Sequence, residues 1–177
     1  MKKIIFVIVT IIVALLVYVN VNADEIIIPS SAIRFRVIAN SNSINDQKIK
    51  MEVKEYVDSY LVSKLIGVND VDIAKDIIDV ELDNLKLGIK NILLKYDSDS
   101  DFVVSYGKNF FPDKVYKGIK YEKGSYDSLV IVLGEGKGDN WWCVLFPPLC
   151  LLEVQDTEID DVEYQFFVKK LIDKIFE

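Results

Sequence analysis

Apolar and polar positions change their period several times along this chain, and each change marks an element. From Ile4 to Val19 the chain is apolar except for Thr10, and Lys2 and Lys3 precede it. Asn20-Val21-Asn22-Ala23 follows with mostly short side chains. Basic, then apolar, then small is the order of a secretory signal peptide cut after Ala23. The apolar core is somewhat long for that and somewhat short for a membrane span, so a retained anchor helix is the alternative. Either way Lys2 and Lys3 stay inside and the remainder crosses the membrane. Residues 1–23 are therefore read as signal peptide or anchor, and 24–177 as a single extracytoplasmic domain.

Pro29 marks an extended stretch at the start of that domain. Ala32 to Ala39 (AIRFRVIA) alternates like a strand, with Ile33, Phe35 and Val37 on one face and Arg34, Arg36 and Ile38 on the other. Asn40-Ser41-Asn42-Ser43 reads as a turn, and Ser43 can cap a following helix. Ile49, Val53, Tyr56, Val57, Tyr60, Leu61 and Leu65 recur at steps of three and four, predicting a helix over 44–66 that ends at Gly67. A second stripe (Ala74, Ile77, Ile78, Leu82, Leu85, Ile89, Ile92, Leu93) predicts one helix over 71–96. Asp70, Asp72 and Asp76 lie at its start, where the helix dipole favours negative charge; their spacing is not that of a calcium loop.

After Asp97 to Asp101 the period shortens to strands at 102–106, 115–121 and 126–133, punctuated by Gly107, Pro112, Gly118 and Gly124. Ser128 to Leu133 is apolar on both faces, which predicts a central strand. A last helix is expected over 159–176, with Tyr164, Phe167, Val168, Leu171 and Ile175 as its stripe. Strand, helices, strands, helix: the fold class predicted is α+β, with helices packed on a mainly antiparallel sheet.

Charge and composition narrow the chemistry. The formal charge is −7, and −9 once Lys2 and Lys3 are set aside. An acidic surface repels phosphate backbones and anionic headgroups, so nucleic acid is not an expected partner, and membrane contact is expected only through the N-terminal segment. Histidine is absent. That removes Ser-His-Asp and Cys-His nucleophiles and the usual zinc sites, so no metal and no cofactor are predicted. Cys143 and Cys150 are either a disulfide, worth about 2.5 kcal/mol by loop closure, or two small buried thiols.

The densest chemistry lies in Gly134 to Cys150, GEGKGDNWWCVLFPPLC. Gly134, Gly136 and Gly138 do not match a phosphate loop, because Lys137 is followed by glycine instead of Ser or Thr; they read as a structural loop. Adjacent Trp141 and Trp142 point to opposite faces of a strand. They are either two core anchors or, with Phe146, Pro147 and Pro148, an apolar contact patch. Glu122, Glu135, Asp139 and Glu153 allow a second hypothesis, a carboxylate-dependent cell-wall hydrolase. A structural protein of the cell envelope is a third.

Two segments, IRFRVIANSNSINDQKIKMEVKEYV (Ile33 to Val57) and YEKGSYDSLVIVLGEGKGDNWWCVLFPPLC (Tyr121 to Cys150), resemble the stage II sporulation protein R family. The resemblance covers about half of the domain; in 59–101 it extends only to helical character. At the helix start this chain has Ile44-Asn45-Asp46 where many members have Pro-Glu-Asp. The resemblance implies a non-catalytic, secreted signal of endospore formation, made in the forespore and exported into the intermembrane space of the sporulation septum. Its implied partner is a membrane-embedded aspartic protease of the mother cell, which it activates to process the sigma-E precursor. The family pattern does not name contact residues. From the residues themselves, Trp141, Trp142, Phe146, Pro147 and Pro148 are the proposed partner-binding set, with Arg34, Arg36 and Asn40 as additional candidates.

Overall fold

The computed structural model describes residues 5, 8–11, 26–150 and 161–176. Residues 5 and 8–11 are helical; the rest of the expected signal or anchor, including Ala23, lies outside the described residues, as does Glu153. Among the described residues no helix is long and apolar enough to cross a membrane.

Among the described residues from Ile26 onward, seven strands and four helices follow: β1 (Ile26–Ile27), β2 (Ile33–Ile38), α1 (Ile44–Leu65), α2 (Val71–Val80), α3 (Leu82–Lys95), β3 (Phe102–Phe111), β4 (Lys114–Tyr116), β5 (Ile119–Tyr121), β6 (Gly124–Leu133), β7 (Asn140–Phe146) and α4 (Asp161–Phe176). The main sheet has the order β3-β6-β2-β7, and a small sheet has the order β1-β5-β4. The class is α+β, but the expectation of a mainly antiparallel sheet is corrected: both sheets are mixed. β2 runs parallel to β6, and β1 parallel to β5, while β3–β6, β2–β7 and β4–β5 are antiparallel. The three helices between β2 and β3 carry the chain across the sheet, so it re-enters at β3, turns back into β6 and meets β2 in the same direction.

β6 is central, as its two-sided apolar run requires. The helix-facing side of the main sheet presents Phe35, Val37, Leu129, Ile131, Leu133, Cys143 and Leu145 to Val53, Val57 and Leu61 of α1 and to Leu85 and Ile89 of α3, all buried. At one end of the opposite side, the small sheet and α4 enclose a second core of Ile28, Ile119, Tyr121, Val144, Tyr164 and Val168. Helix α1 starts where its cap predicts: Ser43 Oγ accepts from the Asp46 N–H at 3.1 Å.

The single helix expected over 71–96 is broken at Glu81, whose φ of −88° and ψ of 0° separate α2 from α3. Tertiary pairing holds the break. Glu81 accepts from Tyr60 Oη and Asn84 Nδ2, each at 2.6 Å, and meets Lys64 Nζ at 3.0 Å. These bonds, Tyr60's the strongest, hold the Glu81 carboxyl down to about 2 from its ordinary 4.5. A carboxyl depressed by folding contributes stability above its unfolded value and loses it as pH falls toward the folded one. The melting temperature of the parent is thus expected to drop between pH 4.5 and about 2 more steeply than that of Glu81→Gln. Parallel pH profiles of Tm for the two proteins, followed by circular dichroism, would refute this.

Candidate functional site

The aromatic and cationic residues singled out in the sequence collect around β7, some on each side of the sheet. On the helix side, Trp141 meets Phe35 edge-on, with ring centroids 6.1 Å apart. Lys54 Nζ lies 4.6 Å from the Trp141 ring and 3.7 Å from Asp58 Oδ2. Lys50, Lys54 and Asp58, one helical turn apart on α1, are all buried. Lys50 Nζ donates to Gln47 Oε1 at 2.6 Å and to the Asp139 carbonyl at 3.2 Å. Burial raises the Asp58 carboxyl above its ordinary range, with the Lys54 charge opposing in part. Stability from this carboxyl is therefore greatest below 3.8 and declines as pH rises through the raised value, opposite in sign to Glu81.

On the far side, Arg34 is almost fully buried, with its guanidinium carbon 4.9 Å from the Phe111 ring centroid, 5.0 Å from Tyr121, 5.3 Å from Tyr126 and 5.1 Å from Trp142. A weakly hydrated planar cation suits such an aromatic cage, each desolvated ring contact contributing up to about 2 kcal/mol and the set not additive. Arg36 lies two residues along, 4.9 Å over Phe111. Strand alternation explains the pair: Phe35 and Val37 go to the helices, so Arg34 and Arg36 go to the rings. Lys114 Nζ also lies over Trp142, at 4.8 Å, and reaches Tyr116 at 5.7 Å. Arg34, Lys114, Tyr116, Tyr121, Asn140, Trp141, Trp142 and Cys143 line a half-open cavity of about 190 Å³. Of these, Lys114, Tyr116, Tyr121 and Asn140 are not in the sequence-derived set. Lys114 and Tyr116 come from β4 and Tyr121 from β5, and only the fold brings them to Trp142; Asn140 opens β7 itself.

The glycine segment folds against the Asn40–Ser43 turn as one knot. Asn40 Oδ1 accepts from the Glu135 N–H at 2.9 Å, the Asn40 carbonyl from Lys137 N–H at 3.1 Å, and the Ala39 carbonyl from Gly138 N–H at 2.9 Å. Asn42 Oδ1 takes the Asp139 N–H at 2.6 Å. Gly134 and Gly136 have φ of +54° and +61°, the left-handed region. Gly138 is required for a different reason: a Cβ there would lie 2.3 Å from the Ser41 carbonyl oxygen. Asn40, grouped with the partner-binding residues in the sequence, thus spends its amide and its carbonyl on this loop. Ser41 and Asn40 also donate to Asp46, holding its carboxyl below the ordinary value, Ser41 contributing most.

At the end of β7 Phe146 is fully buried; beyond it Leu149 and Cys150 are fully buried and Pro147 is buried, while Pro148 is half-buried. The Cys143 and Cys150 sulfurs are joined, with Cα atoms 5.4 Å apart. An exposed patch therefore cannot include Phe146 or Pro147. Both are enclosed in the core, and the partly accessible aromatic surface at the cavity is that of Trp142, Trp141 and Tyr116. Glu122 and Glu135 do not come together, and Glu153 lies outside the described residues. Glu122 precedes β6 and Glu135 follows it, so the ten-residue strand holds them roughly 30 Å apart, against the 5–10 Å a glycosidase pair needs. Glu135 pairs with Lys137 at 2.7 Å, and Asp139 accepts from Asn42. Among the described residues no acidic or cysteine cluster is arranged to hold a metal ion.

The sequence profile of the family described as Stage II sporulation protein R matches residues 29–156, which span the Asn40 turn, the aromatic cage and β7. Stage II sporulation protein R of Bacillus subtilis (strain 168) is 34% identical over 155 residues, covering 87% of this chain and 69% of the relative. No solved structure matches. The matched length includes both halves of the site, and on it the chain belongs to the stage II sporulation protein R family.

Proposed function

We propose that this chain is an exported, contact-acting signal of endospore formation. In this reading it crosses from the forespore into the intermembrane space of the sporulation septum, engages a membrane-embedded aspartic protease of the mother cell, and thereby promotes processing of the sigma-E precursor. The observation that carries it is the family match over 29–156 together with the relative's sporulation name. The absence of histidine and the wide separation of Glu122 from Glu135 favour action by binding over bond chemistry. Binding alone can switch a partner if the complex favours its active form; moving a 1:99 equilibrium to 99:1 takes about 5.5 kcal/mol of differential affinity.

The test combines this chain, the protease and the sigma precursor in a non-sporulating host. Processing is expected only when all three are present, and equal processing without this chain would remove the activator role. Within that assay Trp142→Ala should cut processing about tenfold or more, since aromatics buried at the centre of a contact carry most of its energy. The circular dichroism melt should show the domain still folded, and Trp142→Phe should restore part of the signal. Undiminished processing by folded Trp142→Ala would exclude this ring from the contact.

A further inference from the structure

The two edges of the main sheet differ. At β7 the residues from Cys143 to Phe146 are all buried, so that edge is enclosed. At the opposite edge no residue of β3 from Phe102 to Phe110 is buried. Among the described residues, β3 pairs with β6 on one side and with no strand on the other. The Asp101 and Gly107 carbonyls face β6, accepting from the Gly134 N–H at 2.7 Å and from Ser128 Oγ at 3.3 Å. Hydrogen-bonded pairs alternate along an antiparallel ladder, so Phe102, Val104, Tyr106 and Lys108 turn their peptide N–H and C=O groups outward. Folded proteins blunt such edges with proline, charge or shortness. β3 is ten residues long, contains no proline, exposes Val103 and Phe110, and has Lys108 as its one charge. It is a template for one more strand.

Charge selects what that strand would carry. Helix α2 lies over the helix side of this edge: Lys75 Nζ reaches Asp127 Oδ2 at 3.5 Å, and Lys108 Nζ meets the same carboxylate at 3.2 Å. Burial, and then the charges of Asp127, Asp79, Asp76 and Asp72, push the Tyr106 phenol well above its ordinary value. All four carboxylates are thus within electrostatic reach of the middle of β3. Lys75 and Lys108 answer Asp72 and Asp127. Asp76 and Asp79, one turn apart on α2 and both exposed, form no ion pair among the described residues, which leaves this fringe negative. A second copy suits the edge poorly. Antiparallel pairing of β3 with itself keeps both sets of helices on one face of the joined sheet and brings the two negative fringes toward each other.

We propose that the β3 edge takes an extended basic segment of a partner protein. The segment adds to the four-stranded sheet as a further strand beside β3. Its lysine or arginine side chains lie on the helix side, toward Asp76 and Asp79, and its apolar side chains lie on the far side, next to Val103. Main-chain pairing supplies affinity, and the carboxylates supply selectivity. This surface is at the opposite edge of the sheet from Trp142, so it goes beyond the activator reading and does not rest on it.

The probes are labelled, end-blocked heptapeptides with valine at odd positions and Lys, Gln or Glu at even ones. They are titrated into the full chain in a non-ionic detergent and followed by fluorescence anisotropy. The Lys peptide should bind about tenfold more tightly than the Gln peptide, the Glu peptide least, and added salt should narrow the differences. With the Lys peptide bound, amide hydrogen exchange should slow across 102–110. The same peptide N-methylated along its backbone keeps its charge but cannot donate to the edge, and should bind at least about tenfold more weakly. Asp76→Asn combined with Asp79→Asn should reduce the Lys-over-Gln ratio to about twofold or less. Both side chains are exposed, so this variant is expected to fold. No binding, equal binding of the three peptides, undiminished binding after N-methylation, a ratio unchanged in the double variant, protection only outside β3, or self-association through β3 that excludes the peptides would each overturn the proposal. The titration involves no protease, so its failure leaves the activator role standing, and failure of the processing assay leaves the titration to decide the edge.

Discussion

Asp58→Ala is expected to lower the stability of the domain by about 3–5 kcal/mol, a fall in Tm on the order of 10 °C. The Asp58 and Lys54 side chains are each only 3% exposed, and Asp58 Oδ1 accepts no hydrogen bond. Removing the carboxyl strands the Lys54 ammonium beneath Trp141 with no opposite charge beside it. Removing both charges is a different matter. Two apolar side chains of similar size, as in Lys54→Met with Asp58→Leu, should come within about 1 kcal/mol of the parent or exceed it, because neither ion then has to leave water. The parent, Lys54→Met, Asp58→Leu and the double variant form a double-mutant cycle readable from urea unfolding. Additive losses would show that the two groups do not sense each other, and a single-variant loss below about 1 kcal/mol would show that water reaches the pair.

Gly138→Ala should cost about 2–4 kcal/mol and displace the aromatic surface of β7 with it. The added methyl would stand 2.3 Å from the Ser41 carbonyl oxygen and 2.9 Å from the Ala39 Cβ, and backbone cannot swing aside as the tip of a side chain can. The loop must retreat, loosening the Gly138–Ala39, Lys137–Asn40 and Asp139–Asn42 bonds together. Since Asn140 begins β7, both tryptophans inherit that displacement. Gly67→Ala is the control: its φ is +82° but no atom lies within 4 Å of where a Cβ would stand, so only the left-handed penalty of about 1–2 kcal/mol applies. Equal Tm shifts for the two substitutions would mean that the Ser41 clash relaxes freely.

Side-chain period carried much of this fold. The Ile49–Leu65 stripe, the Ser43 cap, the central position of β6 and the opposite facing of Trp141 and Trp142 were all legible, because each depends on neighbours three, four or two positions away. Strand direction was not legible, since a strand alternates in the same way whichever direction its partner runs. The break at Glu81 was hidden too, because its ligands Tyr60 and Lys64 lie in another helix. At the site, the arginines were visible as misfits on an apolar strand, but the rings that receive them come from β3, β5, β6 and β7. Lys50, Lys54 and Asp58 lie off the apolar stripe of α1, and only the approach of β7 shows why they are enclosed.

Pairing β2 with β6 and β7 joins distant parts of the chain, and the bond between Asn40 and Glu135 spans 95 positions. A chain that emerges N-terminus first holds β2 without a mate until nearly all of its length is available. Helices can form on the way, yet the sheet, the cage and the loop knot arise together and late. Half-length fragments should therefore lack the sheet, the cage and the knot alike, and nothing short of the whole domain can present the β7 surface.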